Sequence, residues 1–245
     1  MYDLHQLLKP FDIEEQLQRY GKRPEDGGYV LSPSELKKST SVYSYGVGGG
    51  WRNMHFDYHM EEIGKTVYMY DGSISELSQR RHLKGEAHND FIFKPLYINS
   101  TNIIEELYLN KHEAHTNLTA KMDIEGWEWD VFSKCEDIYF EVFSQISVEL
   151  HALLPNSRSR QRGEWTFNQK AEALNRLNDK YYLFHIHTNN IGEIREGYPD
   201  TLEVSYIRKD VLDFTPKPRL AAYPIKNLDI PNSKKKPEPR INWWA

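Results

Sequence analysis

Four short apolar runs, each with a glycine or acid at its end or next to it, constrain this chain more than any other feature of its sequence. SVYSYG (41–46), TVYMYD (66–71), LTAKMDI (118–124) and SQISVEL (144–150) have the Val/Tyr/Ile content of buried strands and deliver Gly46, Asp71, Asp123 and Glu149 at or next to their ends. Between them lie segments with helical spacing. Met54, Phe56, Met60 and Ile63 mark one helix, stopped by Gly64, and Ile103–Leu109 and Trp127–Phe132 mark two more. Strands that alternate with helices form parallel βαβ units, so the expected fold is α/β, a doubly wound, mostly parallel sheet with helices on both faces. In such sheets ligands bind beyond the carboxyl ends of the strands, where these acids fall.

The flanking regions extend the pattern. Leu4, Leu7, Leu8 and Phe11 predict a short amphipathic helix over residues 1–20, a helical extension of a domain expected to span 1–213. Phe91–Ile98 reads as an edge or irregular strand because of Pro95. Phe167, Ala171, Leu174, Leu177 and Tyr181 step along one helical face, and two strands follow, Tyr182–His187 and Leu202–Ile207. From Phe214 onward prolines accumulate around a KKKPEP run, yet the segment ends in Ile241, Trp243 and Trp244. Residues 214–245 are therefore expected to pack on their own domain or on a partner subunit of a homo-oligomer.

Several classes of protein are disfavoured. No run reaches the ~18–20 apolar residues of a membrane span, and the N-terminus lacks the pattern of a signal peptide, so a cytoplasmic location is expected. The single cysteine, Cys135, can neither close an internal disulfide nor supply a cysteine-based zinc site. A net charge of -5 argues against a broad phosphate-binding face, and the expected partner is a small-molecule or carbohydrate acceptor with no nucleic acid.

Four clusters could carry chemistry. Gly46 and Gly48 stand at a strand-to-helix turn, where backbone N–H groups can approach a ligand, and Asp71 lies 25 residues beyond Gly46, suitably placed to accept from ribose hydroxyls. The turn lacks the GxGxxG form and fits an adenosyl group without pyrophosphate better than a nicotinamide dinucleotide. AKMDIEGWEWDVF puts Asp123 and Glu125 at a strand end before Gly126, although Asp123 could simply cap the next helix. Glu149 and His151 share a face by the two-residue period, as do His185 and His187. Asp123, Glu149, His151 and His187 could converge on one crevice, with His151 or His187 taking a proton from a hydroxyl. The same side chains could instead hold a divalent cation, but no ligand spacing specifies a metal, and none is assigned.

VYSYGVGGGWRNMHFD, VYMYD, KMDIEGWEWDVF and ISVELH, in that order, resemble the FkbM-type methyltransferases, in the branch that includes methyltransferase-like proteins; RYGKRPEDGGYVL and YPIKNLDIPN extend the resemblance over roughly 19–232. It implies a Rossmann-like class I methyltransferase fold, S-adenosylmethionine as cofactor and O-methyl transfer, often to sugars or polyketides. Position by position, it makes Gly46 and Gly48 the cofactor turn, Asp71 the ribose acid, Asp57 an acidic position after the turn, and Asp123, Glu125 and Gly126 the element beside the reaction centre. Three consecutive glycines and Trp51 depart from the family's more polar stretch. The sequence reading is an O-methyltransferase acting on a sugar, nucleotide-sugar or polysaccharide hydroxyl. Its rivals are a nicotinamide oxidoreductase and a non-catalytic nucleotide-binding domain.

Overall fold

A computed structural model describes residues 3–21, 27–48, 54–75, 90–157 and 164–244. Gly49, Gly50, Trp51, His82 and His88 lie outside the described residues. A seven-stranded sheet organises the chain, with β1 Ser41–Tyr45, β2 Thr66–Tyr70, β3 Phe91–Lys94, β4 Leu118–Met122, β5 Phe143–Leu150, β6 Tyr181–Thr188 and β7 Leu202–Arg208. Their spatial order is β3-β2-β1-β4-β5-β7-β6. Pairings from β3 through β5 are all parallel, whereas β7 runs antiparallel to both β5 and β6. A parallel sheet carrying one antiparallel strand in this order is the Rossmann-like class I methyltransferase fold.

The sheet is covered on both faces. Tyr43, Tyr45, Ala120, Met122, Ile146 and Val148 point into the larger core, with residues of α3 (Asn102–Leu109), α4 (Glu128–Lys134), α5 (Ile138–Val142) and α6 (Phe167–Lys180). Val42, Val67 and Met69, offset by one residue, meet Leu36 of α1 (Pro33–Lys38) and Phe56 and Met60 of α2 (His55–Glu62) on the other side. Double coverage is why these strands read as near-continuous apolar runs rather than alternating ones. Helix α6 shows the local logic. Thr166 accepts from the Gln169 N–H while the Gln169 side chain accepts from the Thr166 N–H, a capping box that fixes its start. Leu174 and Leu177 are fully buried, each worth ~1.5–3 kcal/mol, whereas Phe167 at the first turn is 51% exposed.

The N-terminal region departs from expectation. A five-residue 3-10 turn, Asp3–Leu7, replaces the helix expected over 1–20, because Pro10 cannot continue it. Phe11–Asp12 then pairs with Lys217–Pro218, and Gln18–Tyr20 with Tyr29–Leu31. A third small ribbon, Ile194–Arg195 with Tyr198–Pro199, leads into β7.

Residues 214–244 lie along the β6 side of the domain. Tyr223 and Ile241 exchange two backbone hydrogen bonds and are buried in the larger core. Trp243 donates to the Leu8 carbonyl at 3.3 Å. His185 faces Asp229 at 2.8 Å, and Asn190 accepts from the Ser233 N–H and donates to its carbonyl. No helix among the described residues is long and apolar enough to cross a membrane.

Candidate active site

A cavity of about 460 Å³ opens at the carboxyl edge of β1, β2, β4 and β5, within the size range of small-molecule sites. Gly46, Gly48 and Asp71 form one side, and Asp123, Glu125, Glu149 and His151 another. The fold brings these seven predicted residues to one space.

Gly46 is where the backbone most needs glycine. Its φ is +78°, and a Cβ there would stand 1.6 Å from the Asp123 carbonyl oxygen. The close approach follows from parallel pairing: Gly46 N–H donates to the Tyr70 carbonyl and Asp123 N–H to the Tyr45 carbonyl, so the ends of β1, β2 and β4 are stitched together. Asp71 fixes the turn beyond. Its Oδ2 accepts from the Val47 and Gly48 N–H groups at 3.0 and 2.9 Å, and its Oδ1 from the Ser73 N–H and hydroxyl at 2.8 and 2.6 Å. Four donors occupy the lone-pair directions of one carboxylate. A ribose hydroxyl reaching Asp71 would have to displace one of them, and the Ser73 hydroxyl rotates most readily.

Asp123 sits at the mouth of β4. Lys121 Nζ lies 3.7 Å from its Oδ2, and the Tyr29 hydroxyl donates to the same oxygen at 3.4 Å. Burial would raise its pKa, but Lys121, then His151, outweigh this and hold the carboxyl below its usual range. Lys121 also donates to the Gly46 carbonyl, linking acid and turn. Neither Lys121 nor Tyr29 is evident from sequence as a site residue. The signals are a lone lysine within an apolar strand and the tyrosine of DGGY.

His151 is held from behind by Glu128, another residue the sequence reading passes over. Glu128 is fully buried in the first turn of α4, and its carboxylate accepts from the His151 N–H at 2.8 Å and the Gly126 N–H at 2.8 Å. The same Oε1 lies 3.1 Å from His151 Nδ1. His151 Nε2 points forward, 3.6 Å from Glu149 Oε2 and 3.9 Å from Asp123 Oδ1. Burial alone would depress the imidazole pKa; Glu128, Glu149 and Asp123 overcome this and raise it well above 6.5. Asn189, just after β6, donates to Glu149 Oε1 and completes the rim.

Two expected site residues lie elsewhere. Asp57 is buried in α2 and does not line the cavity; burial raises its pKa, with Lys121 opposing. Its helix packs against β1 and β2 below the turn, which directs the carboxyl inward. His187 ends β6, but antiparallel β7 is inserted between β6 and β5, so Glu203 separates it from Glu149. Its Nδ1 lies 2.9 Å from Glu203 and its Nε2 3.1 Å from Glu238, an arrangement that raises its pKa to about 10 despite burial. It does not join the crevice. Two half-buried histidines have defined partners: His59 Nδ1 accepts from the Gly21 N–H, and His112 Nδ1 pairs with the Tyr43 hydroxyl at 2.8 Å. Cys135 is buried, its thiol pushed up to about 12 by that burial.

No family model and no curated protein matches the sequence. Solved structures with a similar fold include a Methanococcus jannaschii fibrillarin pre-rRNA processing protein at 11% identity (71% of this chain, 69% of that one, TM-score 0.44). A precorrin-6y C5,15-methyltransferase from Geobacter metallireducens aligns at 10% (71% and 83%, TM-score 0.38). A TehB-like SAM-dependent methyltransferase from Corynebacterium glutamicum aligns at 9% (72% and 86%, TM-score 0.37). A shared fold does not carry over an acceptor. With an RNA-processing protein among these neighbours, the expectation of no nucleic-acid partner gains nothing from the likeness.

Proposed function

We propose that this chain is an S-adenosylmethionine-dependent methyltransferase that transfers a methyl group to a hydroxyl of a sugar, nucleotide-sugar or polysaccharide. The observation that carries the reading is the single cavity shared by the Gly46 turn with Asp71 and by the Asp123–Glu149–His151 group, at the carboxyl edge of a sheet of this order. The residues suit the cofactor. Gly46 leaves no room for a side chain at the turn, and Asp71 is a carboxylate whose Ser73 contact can yield to a ribose hydroxyl. FkbM-type motifs supply further support, as the AKMDIEG segment lies at the mouth of the cavity.

When bound, the cofactor supplies an electrophilic methyl group. The chain's own task is to orient an acceptor oxygen in line with it, about 3–3.5 Å away, and to take up the hydroxyl proton. Asp123 and Glu149 are the carboxylates placed to receive that proton, with the His151 ring beside them. Trp127 and Tyr97 offer flat faces to a sugar ring, and Asn189 and Thr201 offer hydrogen bonds to its hydroxyls; all four line the cavity.

Calorimetry with S-adenosylhomocysteine and with NAD tests the cofactor. The demethylated product is expected to bind and NAD not to; binding of NAD alone would move the protein to the oxidoreductases. A product-detected screen of tritiated methyl transfer to sugars, nucleotide-sugars, polysaccharides and RNA then tests the acceptor. Transfer to RNA alone would overturn the carbohydrate reading.

A further inference from the structure

Two carboxylates and one imidazole meet at the inner wall of the cavity. One ligand atom from each of Asp123, Glu149 and His151 lies within 4.8 Å of the others. His151 Nε2 stands 3.6 Å from Glu149 Oε2 and 3.9 Å from Asp123 Oδ1, both beyond hydrogen-bond distance. Atoms that share one ion at ~2.0–2.2 Å stand roughly 3.3–3.6 Å apart at a tetrahedral angle, and farther apart as the angle opens. The His151 spacings match that geometry.

A second observation points the same way. Only 7% of His151 is exposed, and its Nε2 faces the two carboxylates at 3.6 and 3.9 Å. Its ring is oriented from the rear by the fully buried Glu128, which lies against Nδ1 and also accepts from the His151 backbone N–H. Carboxylate behind histidine, with the second nitrogen presented forward, is how metal-binding imidazoles are fixed in tautomer and direction. The protein closes the rear and flanks of this group, while its front opens onto the cavity. Three protein ligands with an open position distinguish a catalytic metal site from a structural one.

We propose that Asp123, Glu149 and His151 bind a divalent transition-metal cation, of the Mn²⁺ or Zn²⁺ type, with Glu128 as the positioning residue for His151. One imidazole with two carboxylates favours such an ion over Mg²⁺, which prefers all-oxygen octahedra and retains its waters. Cation binding stands independently of methyl transfer. The ion's role, lowering the pKa of an acceptor hydroxyl at its open position, rests on the function proposed above.

The test uses the untagged full chain, stripped with a chelator and titrated with Mn²⁺ by electron paramagnetic resonance and with Zn²⁺ by calorimetry. One site per chain is expected. Asp123→Asn and Glu149→Gln should abolish it, and Glu128→Gln should weaken it ~10–100-fold. Thermal unfolding of each apo variant shows whether it is folded; should Glu128→Gln unfold, Glu149→Gln, which leaves the α4 contacts intact, decides. No stoichiometric binding by the folded wild-type protein, or binding unchanged in both Asp123→Asn and Glu149→Gln, would overturn the site. Methyl transfer that persists in chelator would remove the ion's role and leave the function reading standing. Metal binding without S-adenosylhomocysteine binding would do the reverse.

Discussion

Gly46→Ala should damage both stability and cofactor affinity. At φ +78° an alanine enters left-handed backbone at roughly 1–2 kcal/mol. Its Cβ would also lie 1.6 Å from the Asp123 carbonyl oxygen and 2.6 Å from the carbonyl carbon, where ordinary contact begins near 3.4 Å. Backbone, unlike a flexible side-chain tip, cannot swing aside. Separating the ends of β1 and β4 stretches the Asp123 N–H to Tyr45 hydrogen bond and the Lys121 contact to the Gly46 carbonyl. Overpacking of this kind costs about 1–3 kcal/mol, giving a total of about 2–5 kcal/mol, a large share of a typical 5–15 kcal/mol stability. Urea unfolding followed by tryptophan fluorescence should show a lower midpoint at unchanged m-value. Calorimetry on the folded fraction should show weakened S-adenosylhomocysteine binding. A midpoint equal to wild type would refute the close approach on which the turn's role depends.

Asp71→Ala removes acceptors from the Val47 and Gly48 N–H groups and from any ribose hydroxyl, so S-adenosylhomocysteine affinity should fall by ~1–3 kcal/mol in calorimetry; unchanged affinity would sink the assignment. Asp123→Asn keeps the side chain's shape while losing its charge beside Lys121 and His151, so transfer should collapse in a radiolabel assay with the melting temperature nearly unchanged; unfolding instead would make Asp123 a structural residue. The His187 pKa is raised from 6.5 to about 10 in the fold, so its stabilising contribution is complete below pH 6.5 and is lost as pH rises through 10. Tryptic cleavage at Lys234–Lys236 should therefore accelerate between pH 7 and 10 in wild type relative to an unstructured peptide control, and be fast throughout in His187→Gln. A wild-type rate that tracks the control across this range would exclude a latch at His187.

What could be read from sequence, and what could not, follows from the reach of each signal. The strands ending at Tyr45, Tyr70, Met122 and Leu150 are legible because burial on both faces forces Val, Tyr and Ile into short runs, and the residues just beyond each run fall at the ligand-binding edge. The N-terminal helix does not form despite the helical spacing of Leu4, Leu7, Leu8 and Phe11, because Pro10 cannot continue the turn that ends at Leu7. Glu128 and Lys121 are missed for a different reason: charge usually signals solvent, and only their tertiary partners, His151 and the Gly46 carbonyl, explain their burial. The place of His187 is not legible in the sequence because strand order is not a local property. Nothing within Leu202–Arg208 announces that it enters antiparallel between β5 and β6.

That insertion also explains why the chain holds two similar groups with different fates. Each has a histidine at the end of a strand, with one ring nitrogen against a carboxylate: His151 with Glu128 at 3.1 Å, His187 with Glu203 at 2.9 Å. At His187 the second nitrogen meets Glu238 of the C-terminal segment at 3.1 Å, and the tail covers the group. At His151 the second nitrogen faces two carboxylates at 3.6 and 3.9 Å and an open cavity. A charged imidazole closed in by carboxylates is an ion-pair network that fastens one segment to another. The His151 ring lies instead beside a space large enough for a small molecule. Residue type therefore does not separate the two groups; the strand order that exposes one carboxyl edge and lets the tail cover the other does.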